Sequence, residues 1–73
     1  MSKDIVGKCL LLNLLNKRYM TQVDLSDKTG ISKQQINEYI ANTRLMTIYN
    51  AKLIAEALDC HIDDLYEWNI GRR

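Results

Sequence analysis

The chain has 73 residues, of which 47% are hydrophobic and 26% charged, with a formal net charge of +1. This composition is typical of a globular protein with one hydrophobic core, so we expect a single domain over residues 1–73. Proline is absent and glycine occurs three times, which argues against collagen-like, linker-like and turn-rich all-β proteins and favours helices.

The sequence contains no segment that suggests a membrane span, export or a metal site. Its longest leucine run covers residues 10–12, whereas a transmembrane helix needs roughly 20 apolar residues. The polar N-terminus does not resemble a signal peptide, so we expect a cytoplasmic protein. Cys9 and Cys60 are 51 positions apart without further ligands at metal-binding spacing, so we expect reduced thiols, no metal and no cofactor.

Charge is divided unevenly along the chain. Residues 1–52 contain eight Lys or Arg and four acidic residues, a net +4, while residues 53–73 contain two and five, a net −3. This polarity is expected if the first part faces a polyanion. An ordinary solvated surface would explain it equally well.

The N-terminal segment predicts a first helix over residues 4–17. Its core-facing side is defined by helical spacing at Leu11, Leu14 and Leu15, with Gly7 one turn earlier. A second apolar stripe, about 100 to 160° away, consists of Ile5, Cys9 and Leu12. We therefore expect a helix that is apolar on two sides.

Two short helices follow, each with a clear start. Thr21 is a good N-cap for a helix over residues 22–29, which Gly30 ends. Ser32 caps a third helix that continues to Ala41, in which Ile36, Tyr39 and Ile40 recur at helical spacing. Its other side chains are rich in amides and are expected to face solvent.

The last two predicted helices complete the domain. Thr47 caps a fourth helix that Asp59 ends, with its inner face formed by Ile48, Ala51, Ile54, Ala55 and Leu58. A final helical turn covers residues 62–67 and has two aspartates, Asp63 and Asp64, near its start, where their charges suit a helix N-terminus. The sequence thus predicts an all-α fold of five helices.

Residues 22–41 have the spacing of a helix-turn-helix. Such a motif needs a small residue where the helices cross, here Ser26, and a residue that tolerates positive φ in the turn, here Gly30. It also needs apolar residues that fix the angle between the helices, and these are Leu25, Ile31 and Ile36. Helix pairs in other bundles satisfy parts of this pattern.

With these residues the sequence resembles the Cro/C1-type, or XRE, family of helix-turn-helix repressors. The matching positions are residues 20–26 and 28–32, Ile36, Tyr39, and residues 53–58 and 62–65. The resemblance covers a core of residues 6–66 and leaves a short tail at 67–73. It implies the five-helix fold of phage and bacterial repressors, lambda repressor-like, and a transcription regulator that binds double-stranded DNA in a sequence-specific manner. In that family the third helix, here residues 32–41, lies in the major groove.

Side-chain chemistry agrees with such a recognition helix. Amides can bond adenine bidentately, an ammonium can reach guanine, and a carboxylate can accept from cytosine. The candidate base-reading residues are Lys33, Gln34, Gln35, Asn37 and Glu38. Glu38 can equally repel phosphates or pair with Lys33 or Asn42. The candidate phosphate-contacting residues, partly implied by the resemblance, are Thr21, Gln22, Ser32, Asn42, Thr43 and Arg44.

The chain departs from the family pattern at an ion pair. Many relatives carry an arginine late in the first helix and a glutamate after the aromatic of the third helix, where this chain has Leu15 and Ile40. Apolar replacement of a buried ion pair can leave stability unchanged. We therefore predict that Leu15 and Ile40 contact each other in the core. At the family's usual glycine position stands Asn42, which tolerates a left-handed conformation.

Repressors of this size normally read two half-sites as a dimer, which makes a homodimer one of two alternatives for this chain. The candidate surface for a second copy or a regulatory protein partner comprises Ile5, Cys9, Leu12, Tyr66, Trp68 and Ile70. Alternatively, Trp68 and Ile70 fold back over the N-terminal segment and close the core of a monomer. No small-molecule ligand is expected.

Two other functions compete with DNA binding. The same fold can serve as a protein-interaction module, antirepressor or antitoxin-like, through exposed Leu12, Leu53, Trp68 and Ile70. An enzyme is disfavoured because the chain has one histidine, no Ser/His/Asp spacing and no glycine-rich phosphate loop.

Overall fold

The computed structural model describes residues 5–69. Over these residues, four α-helices and one 3-10 helix are flanked by two short strands. In chain order they are strand β1 (Val6–Cys9), helices α1 (Leu11–Lys17), α2 (Gln22–Thr29), α3 (Lys33–Ile40) and α4 (Ile48–Leu58), the 3-10 helix (Ile62–Leu65) and strand β2 (Tyr66–Trp68). The fold is mostly helical, as predicted, but it includes a small two-stranded sheet, and it has four α-helices because the fifth predicted helix is a 3-10 helix.

Helices α2, α3 and α4 begin at the side chains that the sequence predicts as caps. The hydroxyl oxygens of Thr21, Ser32 and Thr47 each accept a hydrogen bond from the backbone N–H three residues later, at 3.1 Å. These bonds satisfy donors that have no partner inside the helix. Helix α4 ends at Asp59 in a left-handed conformation, with φ of 56°. Local chemistry therefore fixes where all three helices begin and where α4 ends.

The N-terminal segment forms a strand where a helix was predicted. β1 pairs antiparallel with β2, with Val6 opposite Trp68 and Cys9 opposite Tyr66, and the register shifts between the two pairs. At Gly7 the strands approach so closely that a Cβ atom would lie 2.9 Å from the carbonyl oxygen of Glu67. Pairing with β2 satisfies the backbone of β1, so helical spacing upstream of Leu11 does not decide its conformation.

The sheet also joins the predicted tail to the domain. Residues 67 and 68, assigned to the tail, lie in β2, whereas residues 70–73 lie outside the described part of the chain. The indole Nε1–H of Trp68 donates to the carbonyl oxygen of Asp63 at 2.8 Å. The C-terminal segment therefore folds back on the N-terminal segment as a strand.

One core joins the helices and the sheet. Its fully buried large side chains come from all four α-helices and the 3-10 helix, namely Leu11, Leu15, Leu25, Ile36, Tyr39, Ile54, Leu58 and Leu65. Ile40 is partly buried against this core, so it lies with Leu15 on the apolar side, as predicted, while their direct contact stays a prediction. Ile48 was wrongly placed on the inner face of α4, because it is 76% exposed.

Candidate nucleic-acid interface

The turn between α2 and α3 is held by side-chain hydrogen bonds. The Ser26 hydroxyl donates to the carbonyl oxygen of Ile31 at 2.6 Å, and Thr29 Oγ1 accepts from the Ile31 N–H at 3.1 Å. Gly30 takes a φ of 79°, which an L side chain rarely adopts. Leu25 and Ile36 are fully buried on either side of the turn. The two helices therefore have a defined relative orientation.

Helix α3 is anchored on one face and exposed on the other. Ile36 and Tyr39 are fully buried, and the Tyr39 hydroxyl accepts a hydrogen bond from Asn50 Nδ2 of α4 at 3.0 Å. The exposed face carries Lys33, Gln34 and Asn37, which adjoin at helical spacing. Gln35 and Glu38 are half-buried. The structure thus brings three of the five predicted base readers together on an outward surface.

Glu38 is paired with Arg44. Arg44 Nε lies 2.7 Å from Glu38 Oε1, and both side chains keep contact with solvent. The sequence suggested Lys33 or Asn42 as partners of Glu38, whereas the structure selects the arginine that was predicted to contact phosphate. The ion pair therefore links the recognition helix to the loop that follows it.

Residues 41–46, which we name the α3–α4 loop, contain three predicted phosphate contacts. Asn42 has a φ of 67°, so it takes the left-handed conformation expected of it, and its Oδ1 accepts from the Cys9 N–H at 3.1 Å. The backbone N–H of Thr43 donates to the Glu38 carbonyl oxygen at 3.0 Å. Asn42, Thr43 and Arg44 are all exposed.

The N-terminus of α2 is closed by a capping box. The Thr21 N–H donates to Asp24 Oδ2 at 3.0 Å, and the Asp24 N–H donates to Thr21 Oγ1. Thr21 is exposed and Gln22 is half-buried. The predicted N-cap role of Thr21 is confirmed, and its exposed position is compatible with a neighbouring phosphate. Ser32, which caps α3, is exposed as well.

Three titratable side chains, Cys9, Cys60 and Tyr66, are buried or partly buried. Burial raises the pKa of the Cys9 and Cys60 thiols and of the Tyr66 phenol above their ordinary values. Residues 5–69 contain no group of three His, Cys, Asp or Glu that could hold a metal ion.

Arg18, near the end of α1, donates from Nε to the Leu58 carbonyl oxygen at 2.7 Å and thereby caps the C-terminus of α4.

Only part of the predicted partner surface is exposed. Cys9 and Tyr66 are each 7% exposed, so they offer little surface to a partner. Leu53, predicted to be exposed, is half-buried against the core. Ile5, Leu12 and Trp68 are exposed, and Ile70 lies outside the described residues.

Sequence reasoning missed a second apolar surface. Leu45, Ile48 and Tyr49 are 64%, 76% and 71% exposed, and an open groove beside them is lined by Val6, Leu45, Met46, Ile48, Ala51, Ile62, Tyr66 and Trp68. We name the three exposed residues together with Trp68 the apolar surface. A signal was present in the sequence, since residues 45–51 contain no charged side chain.

The comparisons with known proteins agree with this geometry. A family described as helix-turn-helix matches residues 11–65. The chain belongs to the helix-turn-helix family. This membership confirms the Cro/C1-type resemblance, and the matched domain includes α1 to α4 and the 3-10 helix.

Two relatives of this helix-turn-helix protein come from Bacillus subtilis (strain 168). The SPbeta prophage-derived uncharacterized HTH-type transcriptional regulator YopS is 44% identical over 73 residues, covering 99% of each chain. The SPbeta prophage-derived uncharacterized HTH-type transcriptional regulator YotL is 41% identical over 64 residues, covering 85% of this chain and 80% of its own. Across residues 5–69, none of the helices has the length and apolar character that crossing a membrane requires.

Proposed function

We propose that this protein is a transcription regulator that binds double-stranded DNA in the cytoplasm and reads its sequence with α3 in the major groove. The observation that carries the proposal is the presentation of α3. Ile36 and Tyr39 fix its inner face in the core, and its outer face offers an ammonium and two amides at the solvent surface. Membership of the helix-turn-helix family and the names of the two prophage relatives support the same function.

In this proposal, Lys33, Gln34 and Asn37 read base edges, while half-buried Gln35 and Glu38 lie beside them. An ammonium reaches guanine acceptors and an amide bonds adenine, so these side chains are suited to the major groove. Contacts with the DNA backbone come from Thr21, Gln22 and Ser32 before α3 and from Thr43 and Arg44 after it, whereas the Asn42 side chain is engaged in its hydrogen bond with the Cys9 N–H. Phosphate contacts at both ends would fix the register of the helix in the groove.

Base reading and phosphate binding are tested separately with two variants. Protein is used to select sequences from random duplex DNA at about 150 mM salt, and affinities are then measured against salt concentration. We expect Gln34→Ala to relax the preference at one position by about 1 to 3 kcal/mol. We expect Arg44→Ala to weaken binding to all sequences alike and to reduce the salt slope by about 1.

Lys52→Ala is the matched control for Arg44→Ala. Lys52 is also an exposed basic side chain paired with a glutamate, since its Nζ lies 3.2 Å from Glu56 Oε2. Unlike Arg44, it belongs to α4 and lies outside the α3–α4 loop. Its removal should leave the salt slope nearly unchanged. Absence of sequence enrichment, together with equal behaviour of wild-type and Gln34→Ala protein, would refute the proposal.

We further propose that two copies bind DNA as a dimer through the apolar surface. An eight-residue recognition helix reads few base pairs, so pairing two half-sites adds specificity. The exposed apolar side chains at Leu45, Ile48 and Tyr49 also favour contact with a protein. A second copy makes this contact compatible with DNA binding, whereas a protein-interaction module without DNA would leave the outward face of α3 without a role.

A further inference from the structure

We propose that the terminal two-stranded sheet positions Arg44 for its contact with DNA, with Asn42 and Tyr66 as positioning residues. The inference rests on the proposed function, because it assigns a role in DNA binding to residues that do not themselves touch a base. It concerns the only part of the described fold in which both ends of the chain meet, the pair β1 and β2.

Two hydrogen bonds connect the sheet to the α3–α4 loop, one on each side of Arg44. Two residues before it, Asn42 Oδ1 accepts from the Cys9 N–H at 3.1 Å. Two residues after it, the Met46 N–H donates to the Tyr66 hydroxyl oxygen at 3.2 Å. Cys9 and Tyr66 are opposite each other in the sheet. One cross-strand pair therefore holds the loop on both sides of the arginine.

Each of these two hydrogen bonds is partly buried. Cys9 and Tyr66 are each 7% exposed, and the Tyr66 ring packs edge-on against Trp68 with ring centroids 6.2 Å apart. Water competes poorly for hydrogen bonds at buried groups, so these bonds are stronger than their counterparts at an open surface. The loop itself is exposed at residues 41–45, and its other backbone bonds run to the carbonyl oxygens at the end of α3. The loop is thus held to α3 on one side and to the sheet on the other.

A held loop favours DNA binding because its ordering is complete before the DNA arrives. A mobile loop must be ordered on binding, and that cost is subtracted from affinity. The sheet lies outside the matched helix-turn-helix domain, which covers residues 11–65, while β1 ends at Cys9 and β2 begins at Tyr66. The two-stranded sheet therefore lies outside the matched domain, with one strand at each of its edges.

The test is a double-mutant cycle between Tyr66→Phe and Arg44→Ala in the full chain. Binding to a random-sequence duplex of about 20 base pairs is measured between about 50 and 200 mM salt. Tyr66→Phe removes the acceptor for the Met46 N–H and keeps the ring. We expect it to weaken binding roughly 2- to 10-fold, the equivalent of one hydrogen bond. In the Arg44→Ala protein, the same change should have no further effect, because the residue that it positions is absent.

Asn42→Gly provides a second, independent arm. Glycine keeps the left-handed conformation but removes the acceptor for the Cys9 N–H, so it should also weaken binding only when Arg44 is present. Ala57→Gly in α4 is the stability control. It lowers helix propensity near the C-terminal end of α4, and at a temperature where all variants are folded it should leave DNA affinity unchanged.

The outcomes separate this inference from the proposed function. If wild-type protein binds DNA and both positioning variants bind as tightly, or lose affinity equally with and without Arg44, the positioning role is overturned and the proposed function stands. If wild-type protein does not bind any duplex, the proposed function fails and the positioning role fails with it. Dependence of both losses on Arg44 supports the inference.

Discussion

The Glu38–Arg44 pair places a carboxylate beside the arginine that is proposed to contact phosphate. Glu38 was predicted as a base reader that accepts from cytosine, and its carboxylate lies 2.7 Å from Arg44 Nε. The pair is exposed enough that it contributes only about 0 to 1 kcal/mol to stability. Its effect on DNA is larger in principle, because a carboxylate beside phosphates repels them and also competes for the arginine that would bind them.

Glu38→Gln distinguishes a Glu38 that reads a base from a Glu38 that repels phosphates and competes for Arg44. We expect tighter binding to all duplex sequences, because the variant removes a negative charge and frees Arg44 while keeping the shape of the side chain. The measurement is affinity for random and selected duplexes at about 50 and 200 mM salt. Glu56→Gln, which removes the partner of Lys52, is the matched control. Weaker binding confined to sequences with cytosine at one position would instead identify Glu38 as a base reader.

The turn between α2 and α3 is the element that sets the orientation of the recognition helix. At Gly30, with φ of 79°, an added Cβ would meet no atom within 4 Å, so the backbone conformation alone opposes a side chain. We therefore expect Gly30→Ala to lower the free energy of unfolding by about 1 to 2 kcal/mol. Gly30→Asn should cost less, because asparagine tolerates this conformation. Denaturant unfolding of both variants measures the difference, and equal stability of the alanine variant and wild type would contradict it.

Elements with local signals were predicted correctly from the sequence, and elements that depend on distant partners were not. The bounds of α2 and α3 follow from Thr21, Ser32 and Gly30, each of which acts on neighbours within a few residues. The strand β1 depends on β2, whose residues lie about sixty positions later, so no local pattern revealed it. Leucines at helical spacing in α1 made the preceding residues resemble a longer helix.

The same distinction holds for the site. Outward presentation of Lys33, Gln34 and Asn37 could be predicted, because buried residues of α3 fix which face remains. The partners of Glu38 and Asn42 could not, since they depend on the path of the α3–α4 loop and on the sheet. The exposure of Ile48 could not be predicted either. Ile48 continues the apolar helical pattern of α4, but it lies in the first turn of the helix, which the core does not cover.

For the whole molecule, the arrangement of surfaces suggests how two copies would combine. The apolar surface begins at Leu45, which directly follows Arg44, so a dimer contact there would be continuous with the proposed DNA contact. Two recognition helices related by a two-fold axis must be about 34 Å apart to read successive major grooves. A contact next to the α3–α4 loop would place both copies on the same side of the duplex, and dimerisation would then raise DNA affinity.

Ile48→Glu tests this contact with little risk to the fold. Ile48 is 76% exposed and is the first residue of α4, where a negative charge suits the helix N-terminus. We expect wild-type protein to dimerise with increasing concentration in sedimentation experiments, the variant to stay monomeric, and its DNA binding to lose cooperativity. Leu12→Glu is the control, because Leu12 is 45% exposed on α1, in the surface first predicted from the sequence. If Leu12→Glu abolishes the dimer and Ile48→Glu does not, the contact lies on α1. A wild-type protein that stays monomeric at high concentration, free and on DNA, would exclude both surfaces.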